Sequence, residues 1–241
     1  VTFTLRAEAK WHDGKPITAD DLIWTFKFLL EKGHPYYQFY YGSVAKAEKL
    51  GPRTVKFSFK PGENRELPLI LGQLQVYPKH YWASRDPEKT TLEAPLGSGP
   101  YRIKSFEANR SVAYERVENY WGRDLAINKG RHNFGQVIYE YFRDGTVALE
   151  AFKAGRFDFR HENSSKAWAT AYDIPAAENG QLIKRAFKHE RTQGMQGFVF
   201  NLRRSVFQDA RVREALSYGF DFEWSNKTLF YGQYKRSRSY F

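Results

Sequence analysis

The sequence contains no cysteine, a single methionine and no long apolar run. Without cysteine, it can build neither a disulfide framework nor a thiolate metal site. No apolar stretch reaches the length of about 18 residues that a membrane-spanning helix requires. A signal-peptide pattern is also missing from these 241 residues, which are enough for one large domain or two small ones.

Local catalytic motifs are equally scarce. None of the six histidines has a second histidine four residues away, so an HExxH metal site is excluded. In the pairs His161-Glu162 and His189-Glu190 the two residues are adjacent, and adjacent side chains point in different directions. The GxSxG elbow of many serine hydrolases does not occur. A hydrolase site that distant residues assemble in space remains an open alternative.

The stretch from Gly97 to Pro100 invites comparison with a phosphate-binding loop. A Walker loop requires a second glycine directly before its Lys-Ser or Lys-Thr pair. Here Ile103 precedes Lys104, and Pro100 removes one of the backbone N–H groups that cradle phosphate. The alternating residues that follow instead predict a turn that leads into a β-hairpin.

Positive charge is abundant, with a formal net charge of +11 and a pI of about 9.6. Such a chain could bind a polyanion. Most basic residues, however, are interspersed with acids, as in 85–89, and only Lys235–Arg238 resembles a basic tract. The pattern favours a solvated basic surface. A basic nucleic-acid-binding module is kept as the alternative, and salt-sensitive DNA binding would favour it.

Aromatic residues make up 17% of the chain. They serve both hydrophobic cores and ligand clefts. The cluster Tyr36–Tyr41 is too dense for every ring to enter a core, so we expect some of these rings to be exposed or to line a cleft. The pair Trp168 and Tyr172 is a further cluster of this kind.

Hydrophobic periodicity and capping residues predict a mixed α and β class. A capping box at Thr18 and Asp21 begins a helix that ends at Lys32. The remaining helices are predicted at 146–154, 165–172, 209–218 and 221–231, the strands at 1–5, 53–59, 136–142, 157–159 and 197–202, and a loop at 34–52.

Three long segments carry a family resemblance. They are residues 1–26 with their Trp-His-Asp-Gly turn, residues 97–122, and residues 200–221 with the run Asp-Ala-Arg-Val-Arg-Glu-Ala-Leu. In this order they resemble the family-5 extracellular solute-binding proteins, which are the peptide-type receptors of ABC importers. Further segments resemble the YejA-like branch of that family, namely 64–73, 140–173, 194–201 and 221–234.

The resemblance implies an α/β fold of the periplasmic binding protein type II kind, with mixed sheets flanked by helices and a small extra α+β domain. Residues 1–96 would form the small domain, 97–203 part of ligand-binding lobe one, and 204–241 the start of lobe two. Family members are roughly twice as long, so the resemblance also implies a fragment truncated at both ends.

Two segments are the candidates for ligand contact by this resemblance. The strand that ends at Asn201 would face the cleft, and the loop after 157–160 would lie near the ligand. Backbone and polar groups suit a peptide main chain, and aromatic rings suit its side chains. For Met195 and Phe198 a place in the core is the alternative. The candidate ligand-binding residues are Asn163, Ser164, Trp168, Met195, Gln196, Phe198 and Asn201.

The function implied is that of a periplasmic substrate-binding component without catalytic activity. It would capture peptides or peptide-like compounds and deliver them to an ABC permease in the inner membrane. Neither a cofactor nor a metal nor a nucleic-acid partner is expected, and the protein is expected to act as a monomer.

Overall fold

The computed structural model describes residues 1–62, 64–86, 89, 91–192 and 194–239, and its chain divides into two units. The first unit is Val1–Phe142 and the second is Arg143–Phe241. The first contains two antiparallel sheets, whereas the described part of the second contains only helices and irregular segments. In the described ranges, every helix is too short or too polar to cross a lipid bilayer.

The first sheet of the first unit packs against helices to form the main core. Its three strands are ordered β1-β3-β2, with all neighbours antiparallel. Phe26 of the first helix meets Phe57 of the central strand edge-on, with ring centroids 5.3 Å apart. The elements are β1 (Thr2–Thr4), α1 (Ala19–Lys32), α2 (Pro35–Tyr41), β2 (Val44–Gly51), β3 (Thr54–Phe59), α3 (Leu67–Gly72) and α4 (Lys79–Trp82).

Helix α1 begins where the capping box predicts. Thr18 Oγ1 accepts a hydrogen bond from the backbone of Asp21, and Asp21 Oδ2 accepts one from the backbone of Thr18. The other oxygen of the buried Asp21 carboxylate accepts a 2.8 Å bond from Lys79 N at the start of α4. One carboxylate therefore joins two helix starts.

The predicted loop at 34–52 is wrong, because this segment forms α2 and β2. In α2, Pro35 occupies the first turn and the His34 ring caps the Tyr36 N–H, while Tyr41 packs into the core. Strand β2 lacks regular alternation because its register with β3 shifts twice, between Val44 and Lys46 and between Lys49 and Gly51. These irregularities hide the strand from a period-two pattern.

The predicted hairpin after the glycine-rich stretch is confirmed. It belongs to a second antiparallel sheet of order β4-β5-β6, and its turn contains Asn109 at a φ of 61°. Asparagine tolerates this left-handed conformation better than most residues. The strands are β4 (Tyr101–Glu107), β5 (Ser111–Arg116) and β6 (Gln136–Glu140), and a 3₁₀ turn lies at Ala126–Asn128.

The glycine-rich stretch itself is held by hydrogen bonds from His12 and Trp121. His12 Nε2 lies 2.8 Å from the Gly99 carbonyl oxygen, and the backbone N–H of His12 donates to the Gly97 carbonyl at 2.8 Å. Trp121 Nε1 donates to the Ser98 carbonyl at 3.0 Å. A Cβ added to Gly97 would meet the His12 ring at 3.2 Å, so glycine allows this close approach.

Aspartates begin three helices of the second unit. Asp144, Asp209 and Asp221 each accept hydrogen bonds from backbone N–H groups in the first turn of the helix that follows. The last helix ends at Thr228, three residues before the predicted end. The elements are α5 (Gly145–Lys153), α6 (Ser165–Thr170), α7 (Pro175–Glu178), a 3₁₀ turn at Ser205–Phe207, α8 (Ala210–Tyr218) and α9 (Phe222–Thr228).

The strands predicted at 157–159 and 197–202 do not form. Phe157 packs against Phe152 with ring centroids 5.3 Å apart, whereas Phe159 is exposed, so the two rings do not share a buried face. Residues 194–201 follow no regular structure. A strand exists only when a neighbour pairs its backbone groups, and none pairs with either segment in the part of the chain that is described.

Candidate ligand-binding site

A buried carboxylate organises the first candidate segment. The Glu162 side chain is only 3% exposed. Its Oε2 accepts a 2.6 Å hydrogen bond from the Tyr172 hydroxyl and a 3.1 Å bond from Arg160 Nε. Its Oε1 accepts a 2.8 Å bond from Ser164 N. Two side chains and one backbone group therefore fix the position of this turn.

The electrostatics of the cluster hold each group in one protonation state near neutral pH. Burial acts to raise the pKa of Glu162, but hydrogen bonds from Tyr172, the Ser164 N–H and Arg160 outweigh it and lower that pKa. Burial, and then the bond to Glu162, raises the pKa of Tyr172. Burial acts to lower the pKa of Arg160, but its bonds to Glu162 and Tyr172 give a net increase. Such fixed charges suit an anchor better than an acid–base catalyst.

The predicted residues Asn163 and Ser164 sit directly on this anchor. Ser164 is the N-cap of α6, and its Oγ accepts a 3.2 Å hydrogen bond from Ala167 N. Both Asn163 and Ser164 are exposed, although the side chain of the neighbouring Glu162 is almost fully covered. The turn therefore presents polar groups to solvent from a fixed backbone.

Trp168 and Tyr172 meet, as their clustering in the sequence suggests. They lie four residues apart, and their ring centroids are 6.5 Å apart in an edge-on arrangement. The Lys184 ammonium lies 4.9 Å from the centroid of the Trp168 ring and 5.9 Å from that of Tyr172. Phe152 of α5 packs on the same Tyr172 ring at 6.4 Å. Half-buried Trp168 is thus the outer member of a supported aromatic group.

The second candidate segment has no regular structure and is largely exposed. Met195 is 45% exposed and Phe198 is 84% exposed, so neither is a core residue in this structure. Phe198 makes one edge-on contact with Phe220 at 6.4 Å. Gln196 is exposed, and Asn201 Oδ1 accepts two 3.1 Å bonds from the backbone and side chain of Arg203.

The structure does not join the two candidate segments. Among the described residues, no hydrogen bond or ring contact links Asn163, Ser164 or Trp168 to 195–201. Each segment is therefore a separate feature of the second unit. Within the same described ranges, no group of three or more metal-ligating side chains comes together.

Sequence reasoning missed the residues that support the site. Arg160 and Glu162 lie two residues apart and Tyr172 lies ten residues further on, a spacing that matches no motif. Lys184 lies beyond α7, where nothing in the sequence connects it to Trp168. The only usable signal was the spacing of four between Trp168 and Tyr172, which places both rings on one side of a helical turn.

Comparison with known proteins decides the family. The family model described as "Bacterial extracellular solute-binding proteins, family 5 Middle" matches residues 1–241, the whole chain. The chain belongs to family 5 of the extracellular solute-binding proteins. This confirms the resemblance seen in the sequence, and it places the chain among binding proteins rather than enzymes.

Two relatives from Agrobacterium fabrum define the branch of family 5 more closely. The chain is 45% identical to the "Probable peptide-binding protein YejA" over 250 residues and 41% identical to the "Peptidoglycan-binding protein YepA" over 251 residues. Each match covers 100% of this chain, but only 41% and 40% of the two relatives. The chain thus spans less than half the length of the curated relatives it matches.

Solved structures show the family-5 fold. The oligopeptide-binding protein AppA of Bacillus subtilis, in complex with a nonapeptide, matches 98% of this chain and 45% of AppA at 21% identity and a TM-score of 0.67. NikA of Brucella suis, in complex with Fe(III)-EDTA, matches 100% of this chain and 46% of NikA at 19% identity and a TM-score of 0.73. The predicted periplasmic-binding-protein fold is therefore confirmed.

Proposed function

We propose that this chain contributes part of the ligand cleft of a periplasmic receptor that captures peptides or peptide-like compounds. The receptor would act as a monomer and hand its ligand to an ABC permease in the inner membrane. Support comes from membership of family 5, from the name of the YejA relative and from the nonapeptide in AppA. The proposal needs neither a cofactor nor a catalytic group.

We extend this proposal to the division of the chain that the family resemblance implies. Residues 1–96 would be the small extra domain, residues 97–203 part of lobe one, and residues 204–241 the start of lobe two. Ligand would be captured when the two lobes of the complete protein close around it. The closed form would then dock on the permease.

The observation that best supports this proposal is the turn with Asn163, Ser164 and Trp168, which Glu162 anchors. Burial of Glu162 and its three hydrogen bonds fix the backbone of this turn, while Asn163 and Ser164 stay exposed. A polar and aromatic surface on a rigid support is what a ligand site needs, because little conformational entropy is lost on binding. A merely structural turn does not require exposed polar groups next to a supported indole.

The segment 195–201 would provide the second contact. None of the hydrogen bonds in the described part of the chain uses the backbone of residues 195–200. Backbone N–H and C=O groups that form no such bond suit pairing with an extended peptide. Gln196 and Asn201 would add side-chain hydrogen bonds, and Met195 and Phe198 would provide tolerant apolar contacts.

The test is isothermal titration calorimetry on the complete gene product. The ligands are a peptide library, peptidoglycan fragments and the chelate Fe(III)-EDTA. The last two are included because one relative is named a peptidoglycan-binding protein and one structural neighbour was solved with Fe(III)-EDTA. We expect a peptide-containing ligand to bind. We also expect Trp168→Ala to weaken its binding by roughly tenfold or more, since burying a large apolar side chain contributes about 1.5–3 kcal/mol.

A matched control is Trp224→Ala, which removes an exposed indole of α9 that is 57% exposed and lies outside both candidate segments. It should leave affinity within about twofold of the parent. Binding of a different solute class with no peptide binding would refute the substrate proposal. Equal loss in the two tryptophan variants would refute the proposed site.

A further inference from the structure

A second feature lies in the first unit. A cavity of about 240 Å³ opens between the start of β4, the end of β5 and the segment 117–133. A larger cavity of about 510 Å³ adjoins it and shares Arg116, Val117 and Glu118. Neither cavity includes a residue of the proposed peptide site.

The smaller cavity has an excess of positive charge. Four cationic side chains line it, against the two carboxylates Glu118 and Asp124. One of the four cations is neutralised, since Arg116 forms a 3.1 Å ion pair with Glu118. The other three are exposed and have no ion pair among the described residues; they are Arg123, Lys129 and Arg131.

The loop that carries these cations is held in shape by its own polar side chains. Asn128 Nδ2 donates a 2.8 Å hydrogen bond to the Gly122 carbonyl, and Asn133 Nδ2 donates a 3.0 Å bond to the Gly130 carbonyl. The Arg116 guanidinium donates to the carbonyls of His132 and Asn133 at 3.4 and 3.0 Å. These bonds keep the loop in a shape that places its positive charges around one cavity, although repulsion between like charges disfavours that arrangement.

We propose that this cavity binds a phosphate monoester group, which carries close to two negative charges. Three unpaired cations around one concavity match such a charge better than they match a single carboxylate. Two of them are guanidiniums, whose forked N–H groups bind phosphate oxygens bidentately. The group would belong either to a small soluble phosphate compound or to a lipid headgroup, since both present the same chemistry.

The experiment uses the complete gene product in a low-salt chloride buffer. Inorganic phosphate and glycerol 3-phosphate are titrated by calorimetry, and phosphatidylcholine vesicles with and without phosphatidic acid are used for co-sedimentation. We expect the triple variant Arg123→Gln, Lys129→Gln and Arg131→Gln to reduce binding at least tenfold. Replacing Arg123 and Arg131 by lysine should reduce binding less than the triple variant does. The positive charge remains, but the guanidinium that binds phosphate oxygens bidentately is absent.

The matched control changes two exposed arginines and one exposed lysine of the same unit, as Arg53→Gln, Arg65→Gln and Lys27→Gln. It removes the same charge and should retain binding. Specific binding of the soluble phosphates supports a soluble ligand, and binding of the phosphatidic acid vesicles alone supports a lipid. The proposal is overturned if neither the soluble phosphates nor the phosphatidic acid vesicles bind. It is also overturned if the triple variant and the control lose the same amount of binding. Peptide binding is measured in parallel and should stay unchanged in the triple variant.

Discussion

Tyr172 donates a 2.6 Å hydrogen bond to the nearly buried Glu162 carboxylate. Tyr172 follows α6 and Glu162 precedes it, so this bond closes a loop around the helix that carries Trp168. Because Ser164 N also donates to Glu162, the turn and the helix share one acceptor. The shape of the proposed peptide contact thus depends on Glu162, which is not itself one of the proposed contact residues.

Replacing Tyr172 by phenylalanine removes one donor to a buried charge. A hydrogen bond to a charged group contributes about 1.5–3 kcal/mol, so we expect the free energy of unfolding to fall by roughly that amount. Urea denaturation followed by tryptophan fluorescence measures it. Tyr231→Phe, at an exposed ring, is the control and should change stability by less than about 0.5 kcal/mol. Equal effects of the two substitutions would contradict the role given to Tyr172.

The lowered pKa of Glu162 predicts a pH dependence of stability. In the unfolded chain this carboxyl titrates near its ordinary pKa of about 4.3. Its stabilising contribution is therefore complete above that pH and disappears as pH falls through the lower folded pKa. Urea denaturation at a series of pH values from about 7 down to about 3 should show a steeper acid loss for the parent than for Glu162→Gln. Parallel curves would show that Glu162 does not contribute to the acid transition.

Gly97 and His12 should behave as a coupled pair. The Cβ of Gly97→Ala would press on the His12 ring at 3.2 Å and shift its bond to Gly99. We expect Gly97→Ala to lower the free energy of unfolding by roughly 1 kcal/mol, the lower end of the range for overpacking. In a His12→Ala background the same glycine substitution should cost almost nothing. A double-mutant cycle by denaturation measures the coupling, and strict additivity would contradict it.

Local signals predicted the helices better than the strands. Thr18, Asp144, Asp209 and Asp221 bind N–H groups within one turn, so a short window contains the information. Helix α2 escaped prediction because its aromatic residues are weak helix formers, and burial of Tyr41 decides its structure. Strand β2 was missed because two register shifts disturb its alternation.

For the site, too, local features of the sequence were predictable and contacts between distant residues were not. The family resemblance indicated the segments 163–168 and 195–201, and the i,i+4 spacing indicated the contact of Trp168 with Tyr172. The anchor formed by Glu162 and Arg160 depends on how the chain returns after α6, which no local pattern encodes. The strand predicted at 197–202 depends equally on a pairing partner from elsewhere.

Three successive carbonyls, those of Gly97, Ser98 and Gly99, are each held by a different donor from His12 or Trp121. A glycine-rich stretch is usually where a chain tolerates inserted residues or proteolytic nicking. Here one added residue would shift every carbonyl past its donor and break all three bonds together. Sites for a purification tag or a fluorescent reporter should therefore be sought elsewhere, for instance at the solvent-exposed hairpin turn around Asn109.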